Sequence, residues 1–183
     1  MPKVSKEERE SRKQKVVDVL NKARAMELTA ITQYMNQHYN LDDMDYGELA
    51  KNMKLIAIDE MRHAEMFAER IKELGGEPVT AGDGKITKGQ DVRAIYPFDS
   101  DLEDDTIAAY NDFLLVCREA GDSVSQKLFE TIIDEEQQHY NYFGNISGHI
   151  EDLGDTFLSK IAGTSASTGG ANKGFVLGTG VAG

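Results

Sequence analysis

Two short motifs in the chain combine a carboxylate with an imidazole at helical spacing. Glu60 and His63 form one Glu-x-x-His motif, and Glu136 and His139 form a second. Residues three apart lie on the same face of an α-helix, so each motif would direct both side chains the same way. Carboxylate oxygens and neutral imidazole nitrogens suit iron or manganese, whereas structural zinc sites mostly use thiolates. The two motifs therefore indicate a metal site.

Two more glutamates precede these motifs at a common interval. Glu27 lies 33 residues before Glu60, and Glu103 lies 33 residues before Glu136. The two halves thus repeat with an offset of 76 residues. This offset relates Glu27 to Glu103, Tyr34 to Tyr110, Ile56 to Ile132, Glu60 to Glu136, His63 to His139 and Phe67 to Phe143. Such an internal two-fold fits a dinuclear site shared by two helical hairpins.

Each predicted helix places one acid in its apolar stripe. In the first helix, Glu27 falls between Ala23 and Tyr34, where a core residue is expected. Four buried carboxylates would be costly without compensation, and two divalent cations cancel four negative charges. A Glu from each of two helices plus Glu-x-x-His from the other two is the known ligand set of ferritin-like di-iron and di-manganese proteins.

Helix start and stop signals divide the chain into four long helices. Capping patterns and glycines predict them from Ser5 to about Tyr39, Asp45 to Leu74, near Ser100 to Gly121, and Ser123 to about Ile150. A short fifth helix is predicted over 155–162. The segment 75–98 has no sustained helical period, and it is long enough to cross a bundle.

The expected fold is therefore all-α. It is a ferritin-like four-helix bundle with a long crossover between helices 2 and 3 and a short C-terminal fifth helix. Residues 1–163 would form this di-iron domain. Residues 164–183 are rich in glycine and are expected to form a flexible tail.

Composition narrows the function classes further. The chain has 183 residues and a net charge of −12, which disfavours a nucleic-acid partner. Its apolar runs are too short to span a membrane, and its charged N-terminus lacks a secretion signal. The single cysteine, Cys117, excludes an internal disulfide and fits a cytoplasmic location.

From about residue 10 to 162 the chain resembles the bacterioferritins, the haem-carrying branch of the ferritins. The resemblance is carried by Asn21-Lys22, Glu27-Leu28-Thr29-Ala30-Ile31-Thr32-Gln33-Tyr34, Asp59-Glu60-Met61-Arg62-His63-Ala64-Glu65 and Asp134-Glu135-Glu136-Gln137-Gln138-His139. It implies a ferroxidase that oxidises Fe(II) with O2 or H2O2 at two irons per subunit. The implied ligands are Glu27, Glu60, His63, Glu103, Glu136 and His139, with Glu60 and Glu136 as bridges.

The resemblance also implies an assembly and a second cofactor. Bacterioferritins form shells of 24 subunits built from dimers and store the ferric mineral inside. Met61 matches the methionine that, with its symmetry mate, ligates one haem per dimer. One residue beyond Glu60, Met61 is turned about 100° away from the metal face. The haem would assist iron release, with a ferredoxin or rubredoxin-type protein as electron donor.

Other interpretations stay open at this point. The motifs could hold a surface Glu and a core His, Glu103 could close a helix start as part of a capping box with Ser100, and Met61 could fill an interface. Tyr34 and Tyr110 could be plain core aromatics. The alternative functions are a rubrerythrin-like peroxide reductase, a haem electron-transfer dimer and a metal-free structural bundle.

Overall fold

The computed structural model describes residues 5–170 and 173–178. Four long helices account for most of them, and two short helices follow. Their bounds are α1 Lys6–Asp43, α2 Gly47–Glu73, α3 Val92–Ala120, α4 Ser123–Leu153, α5 Asp155–Ile161 and α6 Phe175–Gly178. In the described ranges the chain is all-α, with a single isolated bridge between Tyr46 and Thr164. The predicted all-α class is confirmed.

The first hairpin begins where the sequence predicts and turns later. The Ser5 hydroxyl accepts a hydrogen bond of 3.1 Å from the Glu8 amide, which caps α1. α1 then continues to Asp43, one turn beyond the predicted end. Asp45 has a φ of 66°, a left-handed turn conformation, so its predicted role as the cap of α2 is wrong. α2 starts instead at Gly47, where a Cβ would lie 1.9 Å from the Thr164 carbonyl oxygen.

The third helix starts earlier than predicted. The Asp91 carboxylate accepts hydrogen bonds from the Arg93 and Ala94 amides, at 2.9 and 3.0 Å, and this cap begins α3 at Val92. Pro97 then lies inside the helix. Its missing N–H removes only the bond to the Arg93 carbonyl, near an exposed helix end, so the helix continues through it.

This earlier start decides the role of Glu103. Ser100 lies inside α3 rather than at its beginning, so the two residues do not form a capping box. Glu103 is buried near the middle of the bundle. At the start of α4, Asp122 is the capping residue instead of the predicted Ser123, and its carboxylate accepts from the Ser125 amide at 3.0 Å.

The connection from α2 to α3 runs lengthwise along α1. The Asn21 side chain donates to the Glu77 carbonyl at 3.1 Å, and further along, the Gln33 side chain donates to the Thr87 carbonyl at 3.0 Å. The chain therefore returns to the other end of the bundle before α3 begins. This is the long crossover of the predicted ferritin-like topology, which is confirmed.

The core is divided into two apolar clusters. On α2, Met53 and Ile56 belong to one cluster, and Phe67 and Ile71 belong to the other. Glu60 and His63 lie between them. Each cluster contains a tyrosine of the internal repeat, Tyr34 in the first and Tyr110 in the second. In the described part of the chain, no helix has the length and apolar composition needed to cross a membrane.

The C-terminal segment returns to the bundle. Of residues 164–183, which we expected to be flexible, the structure describes 164–170 and 173–178. Thr164 pairs with the start of α2, and the short helix α6 packs against α2. Val176 is buried in this contact. These contacts depart from the expectation for that part of the tail.

Candidate metal centre

The six residues predicted as ligands converge between the two apolar clusters. Each long helix contributes: α1 supplies one glutamate, α3 another, and α2 and α4 supply one Glu-x-x-His pair each. All six side chains are buried: Glu27, Glu60, His63, Glu103, Glu136 and His139. The structure brings together all of them.

The ligand atoms form two overlapping groups. One contains Glu27, Glu60, His63 and Glu136, and in the other Glu103 and His139 accompany the same two glutamates, Glu60 and Glu136. Within each group the candidate ligand atoms lie within 4.8 Å of one another. The two imidazole rings are 6.1 Å apart between centroids. This is the arrangement of two metal positions that share ligands.

Glu60 and Glu136 occupy the shared positions. One oxygen of Glu60 lies 3.1 Å from His63 Nδ1, and its other oxygen lies 3.1 Å from His139 Nδ1. Glu136 does the same, at 3.1 Å from His63 and 2.9 Å from His139. Glu27 is near His63 only, at 3.7 Å. A carboxylate with one oxygen toward each imidazole is suited to bridging two cations.

Two tyrosines hold the terminal glutamates across the bundle. Tyr34 donates a hydrogen bond of 2.5 Å to Glu103, and Tyr110 donates one of 2.5 Å to Glu27. The two bonds are related by the same offset of 76 residues. Each tyrosine therefore belongs both to an apolar cluster and to the metal site, so the reading as plain core aromatics is incomplete.

The carboxylates are too many for the hydrogen bonds available. Within the described residues, Glu60 Oε1 and Glu136 Oε1 are buried without a hydrogen bond of acceptable geometry. Such atoms are costly unless a ligand completes them. A hard divalent cation bound by carboxylate oxygen and imidazole nitrogen meets this need, so the residues present fit two such ions.

Burial and neighbouring charge set the protonation of the site. Burial, together with Glu136 and Glu60, raises the pKa of Glu27 and of Glu103 well above the usual carboxyl value. Burial alone would also raise the pKa of Glu60, but His139 and His63 outweigh it and lower that pKa. Without metal, two carboxyls therefore retain protons that metal binding must displace.

The histidines are fixed from outside by two acidic residues that the sequence analysis did not assign to the site. His63 Nε2 lies 3.0 Å from Glu135, and His139 Nε2 lies 3.3 Å from Asp59. Arg62 donates to both of these carboxylates. A carboxylate accepts the Nε2 proton and thereby turns Nδ1 toward the metal position. The signal was available, because the offset of 76 relates Asp59 to Glu135.

Met61 points out of the bundle, as predicted from its position beside Glu60. Its side chain is 55% exposed, which is unusual for a methionine. It lines a surface pocket of about 370 Å³ together with Ile58, Arg62, Glu65 and Lys173. An exposed thioether beside cationic side chains fits one axial ligand and the acidic groups of a haem held between two subunits.

Comparison with known proteins agrees with this geometry. The profile of the ferritin-like domain matches residues 17–153. The bacterioferritin of Desulfovibrio desulfuricans is 69% identical over 171 residues, which cover 93% of this chain and 96% of the relative. The chain belongs to the bacterioferritin family. More distant bacterioferritins also match, including that of Mycobacterium leprae, at 32% identity over 79% of this chain and 91% of the relative.

Solved bacterioferritin structures match the fold as well. A crystal structure of the D. desulfuricans bacterioferritin, which presents its diiron site in different catalytic states, superposes with a TM-score of 0.88 at 70% identity. It covers 92% of this chain and 98% of its own. The Mycobacterium tuberculosis bacterioferritin BfrA gives a TM-score of 0.77 at 31% identity, over 80% of this chain and 93% of its own.

Proposed function

We propose that the protein is a ferroxidase that oxidises Fe(II) at the dinuclear site and stores the ferric product. The observation that carries the proposal is the pair of overlapping ligand groups around Glu60 and Glu136, each with its own histidine. Membership of the bacterioferritins and the diiron site named for the D. desulfuricans relative support it.

The proposed roles follow from the positions of the side chains. Glu27 and His63 bind one Fe(II), Glu103 and His139 bind the other, and Glu60 and Glu136 bridge them. The four carboxylates balance the charge of two divalent ions. Carboxylate oxygen is a hard ligand and stabilises Fe(III) relative to Fe(II), which favours oxidation in place.

The oxidation balances with either oxidant. Each Fe(II) gives up one electron, so two ions reduce one H2O2 and two protons to two waters, or one O2 and two protons to H2O2. Tyr34 and Tyr110 hold Glu103 and Glu27 in position during this change of charge. Because they donate to the carboxylates, they limit the reorientation of the terminal ligands.

The remaining parts of the proposal concern storage and release. We expect 24 copies, built from dimers, to enclose the mineral in the cytoplasm. Met61 from each of two subunits would hold one haem at the dimer interface, where haem would supply electrons for iron release from a ferredoxin or rubredoxin-type donor. The exposed Met61 and its pocket support the haem position.

The oxidation is tested by rapid mixing of the metal-free protein with Fe(II) and O2 or H2O2. We expect a fast phase in ferric absorbance that saturates at two Fe(II) per chain. Glu60→Gln removes a bridging carboxylate, so its fast phase should slow by about 100-fold or more. Glu69→Gln, an exposed glutamate on the same helix, is the matched control and should retain the fast phase. Equal rates for the two variants would contradict the proposal.

A further inference from the structure

The short helix α6 lies over one half of the metal centre. The Val176 amide donates a hydrogen bond of 2.9 Å to Asp59 Oδ2. The same oxygen lies 3.3 Å from His139 Nε2. One carboxylate atom therefore connects the backbone of the C-terminal segment to a histidine of the centre.

The fit between this segment and the bundle is close. A Cβ at Gly174 would lie 1.9 Å from Asp59 Oδ1, so only glycine allows the backbone to approach this carboxylate. The Phe175 ring stands edge-on to His139, with centroids 6.3 Å apart, and packs on Tyr142 at 4.9 Å. The segment thus contacts both the histidine and the acid that orients it.

The internal repeat provides a built-in comparison. Glu135 is the counterpart of Asp59 and holds His63 in the same way, with Arg62 donating to both acids. The Asp59 side chain is fully buried, whereas that of Glu135 is 13% exposed. In the described part of the chain, Glu135 has no backbone donor equivalent to that of Val176. The two halves of the centre therefore differ in their outer cover.

We propose that residues 174–177 form a positioning element of the metal centre that makes its two metal positions unequal. The Val176 amide fixes Asp59, Asp59 fixes His139, and Phe175 covers the ring. The ion bound by Glu103 and His139 then exchanges more slowly than the ion bound by Glu27 and His63. This inference rests on the proposed dinuclear site.

The test uses Co(II), which is not oxidised by air in such sites and absorbs in the visible. The full chain is loaded with two Co(II) per subunit, and release to excess EDTA is followed by the visible absorbance. We expect two phases of equal amplitude, one slow and one fast. Glu27→Gln should retain the slow phase alone, and Glu103→Gln the fast phase alone, which assigns each phase to a metal position.

The decisive variants are a matched pair at one residue. Val176→Pro removes the amide donor, and Val176→Ala keeps the donor while shortening the side chain. Val176→Pro should accelerate the slow phase by about 10- to 100-fold, as for loss of other supports of ligand histidines, and leave the fast phase unchanged. Val176→Ala should change neither phase by more than about threefold. Helical circular dichroism of both variants checks that the bundle is intact.

A spectroscopic readout separates positioning from simple cover. In the Glu27→Gln background, Val176→Pro should shift the Co(II) absorption bands, because His139 is no longer fixed. In the Glu103→Gln background the bands should stay the same. Two bound ions with equal release rates, or a slow phase unaffected by Val176→Pro, would overturn the inference and leave the dinuclear site intact. Binding of fewer than two ions by the full chain would contradict the proposed function itself.

Discussion

At the scale of single residues, the four central glutamates differ in how they carry charge. Burial and the bridging carboxylates raise the pKa of Glu27 and Glu103, while the two imidazoles lower that of Glu60. Burial would lower the pKa of His63 and of His139, but the carboxylates around them outweigh burial and raise it. The metal-free centre is thus a network of protonated acids and charged imidazoles.

This network predicts that the metal-free protein loses stability as pH rises. A raised pKa in the folded state stabilises the fold fully below the unfolded pKa, and that stabilisation is lost as pH rises toward the folded pKa. For Glu27 and Glu103 the loss begins near 4.5, and for the two histidines near 6.5. Each group contributes about 1.4 kcal/mol per pH unit within its window.

The measurement is the melting temperature of metal-free and Co(II)-loaded protein from pH 6 to 8.5. The metal-free melting temperature should fall across this range, and less steeply in Glu27→Gln, which lacks one titrating carboxyl. The exposed control Glu69→Gln should follow the unmodified chain. The loaded protein should show a much flatter profile because its ligands are already deprotonated. A metal-free melting temperature that rises with pH would disagree with these protonation states.

The tyrosine hydrogen bonds predict a paired effect on metal affinity. Tyr110→Phe leaves Glu27 without its phenolic donor and should weaken the binding of one Co(II) by about 10- to 100-fold. Tyr34→Phe should weaken the other ion, held by Glu103, to a similar extent. Equilibrium titration with Co(II) measures both affinities. Tyr39→Phe, an exposed control on α1, should leave both affinities unchanged.

At the scale of elements, the position of Glu103 depends on where α3 begins. The Asp91 cap and the uninterrupted passage through Pro97 place Glu103 in the interior of the helix, opposite the other ligands. The helix is therefore set in place by a residue far from the site in sequence.

This cap gives a stability prediction for α3. Asp91→Ala removes the acceptor of two amide hydrogen bonds and should lower the free energy of unfolding by about 1 kcal/mol. Urea unfolding of the metal-free protein measures the change. Asp104→Ala, an exposed position inside the same helix, is the control and should change stability by less than about 0.5 kcal/mol. A larger loss in the control than in Asp91→Ala would contradict the assigned cap.

At the scale of the whole molecule, assembly and haem binding are predicted together. Size-exclusion chromatography of the protein as isolated should show a particle of about half a megadalton, which corresponds to 24 chains of 20.3 kDa. Its Soret absorbance should co-elute with the ferric absorbance. Met61→Leu should lose the Soret band and keep both the particle size and the fast oxidation, because Met61 faces away from the metal centre. A dimer of about 41 kDa would contradict the storage shell.

The sequence by itself determined the class of fold and the set of residues at the centre. The interval of 33 residues and the offset of 76 depend only on helical periodicity and on the internal repeat, so they placed six acids and imidazoles on inward faces. Apolar stripes and the long segment between the second and third helices were enough to predict the crossover bundle. Those signals are local or periodic, and a linear sequence displays them directly.

Only the tertiary structure decided how the centre is supported. Capping patterns were ambiguous at Asp45 and Ser100, because the true starts of α2 and α3 depend on a contact with Thr164 and on the cap at Asp91. The hydrogen bond from Val176 to Asp59 joins residues 117 positions apart. No periodic pattern encodes such a pairing, since it arises when the packed bundle brings a distant backbone amide to a buried carboxylate.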